Sequence, residues 1–281
     1  MHTVLIADSG STKTQWCLIQ NGKKKLIKTQ GISPYFLDDE SLKTIIDKEL
    51  LTKTGTTDVQ EIFYYGTGCS NPENAALVRR GLKKAFNKAK ITVDHDLSAA
   101  ARALCGDEKG IACILGTGSN SGYYNGKKIM KNSPGLGYVL GDEGSGTYLG
   151  KKVVQYYMYD TFDGELIEKF QDKYKQTKPE ILDSIYKKPM ANRYLACFSD
   201  FLSENRGHFM IENIIEDGMN DFFFNHIFKY RESWTMPVHF TGGVAYGFRD
   251  VLKQMCSDFE LQLGRVIKEP MQGLIKYHTP N

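Results

Sequence analysis

Residues 4–26, VLIADSGSTKTQWCLIQNGKKKL, and residues 112–130, ACILGTGSNSGYYNGKKIM, carry one pattern twice. Each is an apolar run ending in a turn of Gly with Ser and Thr, then a second run, then Asn-Gly, then lysines leading into a third run. Short apolar runs bounded by turn residues read as strands. Asn-Gly between two of them is a strong hairpin signal, because both residues tolerate the positive φ that a tight turn needs. The pattern predicts a three-stranded unit at the start of each half of the chain, and a repeat of this kind predicts two similar lobes facing one another.

Between the two copies, residues 40–51 have helical spacing (Leu42, Ile45, Ile46, Leu50) and Ile62–Tyr65 reads as a strand. Residues 73–88 form a well-specified helix, with Asn71 as cap, Pro72 in the first turn and Leu77, Val78, Gly81, Leu82, Ala85 and Phe86 on one face. Strand Ile91–Val93 and an Ala-rich helix over 97–104 follow. After the second copy, aromatic and aliphatic stripes at Tyr194, Leu195, Phe198, Phe201 and Leu202, and at Ile211, Ile214, Ile215, Met219 and Phe222, read as core. A strand at Val238–Gly243, a helix over 244–256 and a short helix after Pro270 end the pattern. The expected class is α/β, with lobes at 1–106 and 107–281, a helical insertion at 149–235, and the segment after Pro270 free to pack back on the first lobe.

The 281 residues are 41% hydrophobic and 25% charged, enough apolar content for a large core, which excludes a disordered or fibrous chain. Lys and Arg total 36 against 33 Asp and Glu, a net charge of +3 that is too balanced for binding phosphate backbones, so no nucleic-acid partner is expected. The six cysteines (Cys17, Cys69, Cys105, Cys113, Cys197, Cys256) form no C-x-x-C pair and read as reduced thiols, and the histidines show no metal-ligand spacing. No run approaches the ~20 apolar residues that cross a bilayer, and Asp8 precedes any signal-peptide core, so a cytoplasmic protein with no membrane partner is expected.

Three strand-to-turn junctions are rich in small residues: Asp8 to Thr14, Gly116 to Asn120, and Thr241-Gly242-Gly243. Turns of this kind bare backbone N–H groups and let phosphate oxygens approach; any one of them is also an ordinary tight turn, but two at matching positions of a repeat favour a nucleotide site. There is no G-x-x-x-x-G-K-[ST] loop and no G-x-G-x-x-G after a strand, which excludes P-loop and Rossmann binding on their own motifs.

DSGSTKTQW (8–16), GTGSNSG (116–122) and FTGGVAYGF (240–248) resemble, in order, the first phosphate, second phosphate and adenosine motifs of the actin, sugar kinase and Hsp70 ATPases. PGLGYVLGDEGSGTYLG (134–150) narrows the resemblance to the BadF/BadG/BcrA/BcrD ATPase and N-acetylglucosamine kinase family, over essentially the whole chain. The resemblance implies two ribonuclease-H-like lobes with ATP and Mg2+ in the cleft, and phosphates held at Gly10, Ser11, Thr12, Lys13, Gly116, Thr117, Gly118 and Ser119. It further implies adenosine near Gly242 and Gly243, magnesium on Asp8 through water, and a sugar acceptor on Asn120, Gly137 and Asp142.

The resemblance makes Asp96 the carboxylate that takes the proton from the sugar hydroxyl. An Asp just ahead of a helix is also the common N-cap, and Asp94 competes for the same role. Two positions depart from the glucosamine kinases: Leu136 stands where they have Trp, and Gly31 to Tyr35 contains no Asn. The expected activity is an ATP-dependent kinase of carbohydrate metabolism acting on an amino sugar such as N-acetylglucosamine or glucosamine. The sequence leaves a homodimer open. The alternatives are a regulator that binds nucleotide or sugar without turnover, and a dehydratase-activator ATPase, which needs a Cys beside a Gly-Thr-Gly loop as Cys69 is, but also a D-I-G-G-Q-D motif that is missing.

Overall fold

The computed structural model describes residues 2–10, 12–35, 37–133 and 135–279. The chain folds as two compact units, 1–107 with 269–281, and 108–268.

The first unit opens with β1 (Thr3–Ser9), β2 (Lys13–Gln20) and β3 (Lys23–Gln30), paired antiparallel. Asn21 and Gly22 join β2 to β3 with φ of 52° and 74°, the two positive values of a tight hairpin turn. Helix α1 (Asp39–Ile45) runs on through a π-helical stretch (Ile46–Leu51) into a last turn (Thr52–Thr54). There follow β4 (Glu61–Gly66), α2 (Pro72–Ala85), β5 (Lys90–His95) and α3 (Asp96–Cys105). Asn71 caps α2 through the Glu73 N–H, with Pro72 at its first position. Both β4 and β5 are parallel to β1, so the sheet runs β3-β2-β1-β4-β5.

The second unit repeats this plan. β6 (Lys109–Leu115), β7 (Ser119–Asn125) and β8 (Ile129–Ser133) pair antiparallel, β9 (Val238–Thr241) and β10 (Leu263–Ile267) add in parallel, and the order is β8-β7-β6-β9-β10. The second Asn-Gly makes a different turn from the first. The Asn125 side chain accepts the Lys127 and Lys128 N–H groups, the turn takes four residues, β8 starts only at Ile129, and its pairing with β7 shifts register between Tyr123 and Tyr124. Between β8 and β9 lie α4 (Gly137–Leu140), α5 (Gly146–Met158), α6 (Gly164–Tyr174), α7 (Lys178–Tyr186), α8 (Ala191–Cys197), α9 (Ser199–Glu204) and α10 (Phe209–Asn225). Their Phe170, Phe198, Phe201 and Phe222 are buried with Phe240 of β9 in one core. The helix expected over 244–256 is broken at Phe248 into α11 (Gly243–Gly247) and α12 (Arg249–Asp258).

The last helix, α13 (Met271–His278), packs on α3 in the first unit. A Cβ on Gly273 would lie 2.5 Å from the Ala103 carbonyl oxygen, so only glycine lets the two backbones approach this closely. His278 stacks on Phe63 at 3.8 Å and shares a 2.7 Å hydrogen bond with the Tyr65 hydroxyl, to which Arg102 Nη1 also donates.

Gly242 links β9 to α11 at φ 124°, and a Cβ there would stand 2.1 Å from the Leu115 carbonyl oxygen. Gly242→Ala combines a strained φ with a backbone clash. Urea melts should show a loss of at least ~2 kcal/mol, and a change below ~0.5 kcal/mol would mean that the chain relaxes around the methyl group.

Candidate functional site

In the first unit the register sets Ser9 of β1 beside Gly66 of β4, and Gly66 beside His95 of β5. Asp8, Thr67 and Asp96 therefore gather at the carboxyl ends of three parallel strands, the edge at which open α/β sheets bind ligands. Asp96 is the first residue of α3, and His95 holds the cap position with no side-chain capping bond. The Asp96 carboxylate instead accepts the Leu97 N–H at 2.8 Å and a bond from the Thr67 side chain. Burial raises its pKa, against the pull of His95 and these bonds. Asp94 is committed elsewhere, accepting the His95 N–H, the Ser98 hydroxyl at 3.0 Å and Arg102 Nη1 at 3.1 Å. The two carboxylates that the sequence leaves in competition differ in their partners: Asp94 is ion-paired with Arg102 and bonded to Ser98, whereas Asp96 accepts from the Leu97 N–H and the Thr67 side chain.

Burial, then the charge of Asp96, then that of Glu269 push the Asp8 carboxyl up to about 7, with Lys13 pulling the other way. The first turn is closed by the Gly10 N–H on the Lys13 carbonyl at 3.0 Å, and Thr12 and Lys13 are exposed; Ser11 lies outside the described residues. Lys13 Nζ meets Glu269 Oε1 at 2.7 Å, and Gln15 Nε2 donates to Glu269 Oε2 at 2.7 Å. Glu269 and Thr67 are not found by sequence reasoning. Thr67 lies in the Gly-Thr-Gly loop beside Cys69 but nothing there points to Asp96, and Glu269 belongs to no motif and stands 256 positions from the lysine it pairs with.

In the second unit the turn between β6 and β7 is closed by the Gly116 N–H on the Gly118 carbonyl. The carbonyls of Gly116 and Thr117 accept the Gly146 and Thr147 N–H groups, which docks the start of α5 on this turn. Asp142 lies alongside: a Cβ on Gly118 would come 3.1 Å from Asp142 Oδ2, and the Asp142 carboxylate accepts from the Ser119 and Gly137 N–H groups. Burial raises its pKa. Asp142 holds a φ of 60°, an unusual backbone for a non-glycine residue and one that turns it toward this loop. Gly242 closes on Leu115 and Gly116, and Gly243 opens α11. The Asn120 side-chain oxygen accepts from the Ser121 N–H and from Asn132 Nδ2. Val139 (70%) and Leu140 (76%) of α4 are exposed, so the helix after Gly137 presents apolar side chains to solvent beside these polar groups.

Two observations fit a polyphosphate in the second unit. Ser119 Oγ and Thr241 Oγ1 are buried without a hydrogen-bond partner among the described residues, a state that buried polar atoms rarely keep. A Cβ on Gly116 would meet nothing within 4 Å, so this backbone is open to approach. Among the described residues no group of three or more His, Cys, Asp or Glu could hold a metal ion directly. Asp8, whose carboxyl is raised by burial first and then by two neighbouring carboxylates, fits a hydrated divalent cation held by one oxygen ligand. The Cys69 thiol is 6% exposed and is pushed up to about 12 by burial, then by Asp96 and Asp94. A thiol so buried and protonated does not suit a cluster shared with another subunit.

The model of the BadF/BadG/BcrA/BcrD ATPase family matches residues 7–268. Among solved structures, a Porphyromonas gingivalis protein called a "putative N-acetylglucosamine kinase" is 38% identical over 98% of both chains, with a TM-score of 0.94. A Chromobacterium violaceum protein of the same description is 17% identical over 99% of both chains at 0.69. The ROK hexokinase of Thermus thermophilus is 14% identical over 98% of this chain and 96% of its own at 0.52; these last two share the fold alone. No curated protein matches.

Proposed function

The chain belongs to the BadF/BadG/BcrA/BcrD ATPase family, and on that premise we propose that it is an ATP-dependent kinase phosphorylating a hydroxyl of an amino sugar such as N-acetylglucosamine or glucosamine. One observation carries the reading: a buried carboxylate of raised pKa, Asp96, sits beside Asp8 at the strand ends, whereas Asp94 is taken up by an ion pair with Arg102. Asp96 accepts the proton of the attacking hydroxyl and holds its oxygen in line with the γ-phosphorus. The turns at Gly10 to Lys13 and Gly116 to Ser119 offer N–H groups to the phosphates, with Gly242 and Gly243 near the adenosine. Lys13 exchanges Glu269 for a phosphate oxygen. Asp8 would hold a hydrated magnesium ion, which would supply charge neutralisation to the phosphates. Asp142, Gly137 and Asn120 receive the acceptor, the Asp142 carboxylate keeping lone pairs beyond those its two backbone donors use.

The kinase description of the 38% identical structure supports the same chemistry. A cytoplasmic setting goes with the use of ATP and with six free cysteines. Among the described residues no helix is long and apolar enough to cross a membrane.

Phosphoryl transfer from MgATP to a panel of amino sugars, neutral hexoses and muramic-type sugars tests the reading. Turnover on an amino sugar is expected, and none on any sugar would leave a binding regulator. Gly116→Ala probes the phosphate turn cleanly because its methyl group meets no protein atom, whereas a side chain at Gly118 would also press on Asp142. Calorimetry should show ATP affinity lowered at least about tenfold with the melting temperature unchanged. Unaltered affinity would remove this turn from the nucleotide site.

A further inference from the structure

The turn that carries Asp142 carries a second carboxylate, Glu143, and the two are handled differently. Asp142 takes the Ser119 and Gly137 N–H groups beside the β6–β7 turn. Glu143 Oε2 lies 3.2 Å from Nε2 of His226, the residue that ends α10. The His226 side chain is 4% exposed and that of Glu143 18%, and the imidazole stacks on Phe222 at 4.8 Å. The backbone is fitted to this contact. A Cβ on Gly144 would lie 2.9 Å from Phe222 Cβ, and one on Gly141 would lie 3.2 Å from Glu143 Oε2.

Nδ1 of His226 is buried with no hydrogen-bond partner among the described residues. An aromatic hydrocarbon side chain would fill the same space on Phe222 without stranding a polar atom, so packing alone gives no reason for a histidine here. Among the described residues the imidazole bonds to Glu143. With Nε2 facing a carboxylate, that nitrogen carries the proton in either charge state, and the cost of the stranded Nδ1 is accepted for the sake of that single donation.

We infer that His226 is a positioning residue that holds the Glu143 carboxylate back, so that Asp142 alone faces the acceptor sugar. This rests on the kinase reading above. Released from His226, Glu143 would stand one residue from Asp142 with a second negative charge and a second set of acceptor oxygens. It would then compete for the hydroxyls that Asp142 orients, and it would hold the Asp142 carboxyl in its protonated form more strongly. The charges of Glu143 and His226 already act on Asp142 in opposite senses, Glu143 raising its pKa and His226 lowering it. His226 is thereby a determinant of acceptor binding, with no role in holding ATP.

His226→Phe keeps the ring on Phe222 and removes the donor. In steady-state kinetics it should raise the acceptor KM at least about tenfold while the KM for ATP stays put, because a hydrogen bond to a charged group is lost. His226→Gln, which can still donate to Glu143, should restore most of the acceptor affinity. The deciding measurement is His226→Phe combined with Glu143→Gln. Removing the freed charge should bring the acceptor KM back to within about threefold of wild type, a rescue that a merely structural histidine would not give. If His226→Phe does not fold, His226→Asn, polar but too short to reach Glu143, carries the same comparison. A folded variant with wild-type acceptor KM overturns the inference, as does a double variant no better than the single. A wild-type chain that phosphorylates no amino sugar fails earlier and refutes the kinase reading itself.

Discussion

Asp96→Asn is expected to lower phosphoryl transfer by roughly 10²- to 10⁴-fold while ATP affinity barely moves. Asn keeps the bond to the Leu97 N–H, because its side-chain oxygen can accept where the carboxylate does. It cannot take a proton. Stability gives the control. Burial raises the Asp96 pKa above its value in the unfolded chain, so the charged form is a cost to folding that appears as the pH rises through the folded pKa. Removing that charge should leave the melting temperature at pH 8 no lower than wild type. A folded variant with near wild-type turnover would move the base to Asp142, since Asp94 is held by Arg102 and Ser98. A variant that loses stability and activity together would make Asp96 structural.

Asp8→Asn is expected to abolish magnesium-dependent ATP binding and to cut turnover by about 10³-fold or more. The same variant should make the ligand-free protein more stable at neutral and alkaline pH. Between pH 3.8 and about 7 the folded chain holds a proton on Asp8 that the unfolded chain releases, so wild-type stability falls as the pH rises through that window. The variant has no such slope. Melts at pH 5 and pH 8 should show the two proteins close together at the lower pH and the variant ahead at the higher one, by ~2–4 °C for each kcal/mol of relieved burial. In the wild type, MgATP affinity should climb as the pH passes 7 and the carboxylate forms. An Asp8→Asn protein that turns over normally with magnesium would take the cation away from this residue.

The sheets are the part of the molecule most legible in the sequence, because strand, turn and hairpin signals are local. Val4 to Ala7 is apolar enough to be a central strand, and Asn21-Gly22 takes up the turn its residue types dictate. Asn125-Gly126 has the same letters and a different turn, because the Asn125 side chain satisfies two backbone donors of the loop. β10 escapes sequence reading because Leu263–Ile267 contains Gly264 and Arg265 and is only half-buried; its strand character comes from pairing with β9. The two glycine turns are visible as composition. What is not visible is pairing across distance, as in Glu269 on Lys13, Thr67 on Asp96 and His226 on Glu143. Glu269 and His226 are unremarkable in their own stretches of sequence, and all three pairings exist only once the chain has folded.

The return of α13 to α3 gives the chain an order of completion opposite to its order of synthesis. A ribosome releases residues 1–107 first, and this unit could begin folding at once. Its α3 is then bare where Gly273 will seat against Ala103, Tyr65 lacks His278, and Lys13 lacks Glu269. Those partners leave the ribosome only after the whole of residues 108–268. The part of the protein made first is thus finished last, and the strand ends that carry Asp8 and Asp96 receive their final supports only from a chain translated past His278. A nascent chain stalled anywhere in the second unit holds both carboxylates but lacks the helix that packs on α3 and the Glu269 that pairs with Lys13.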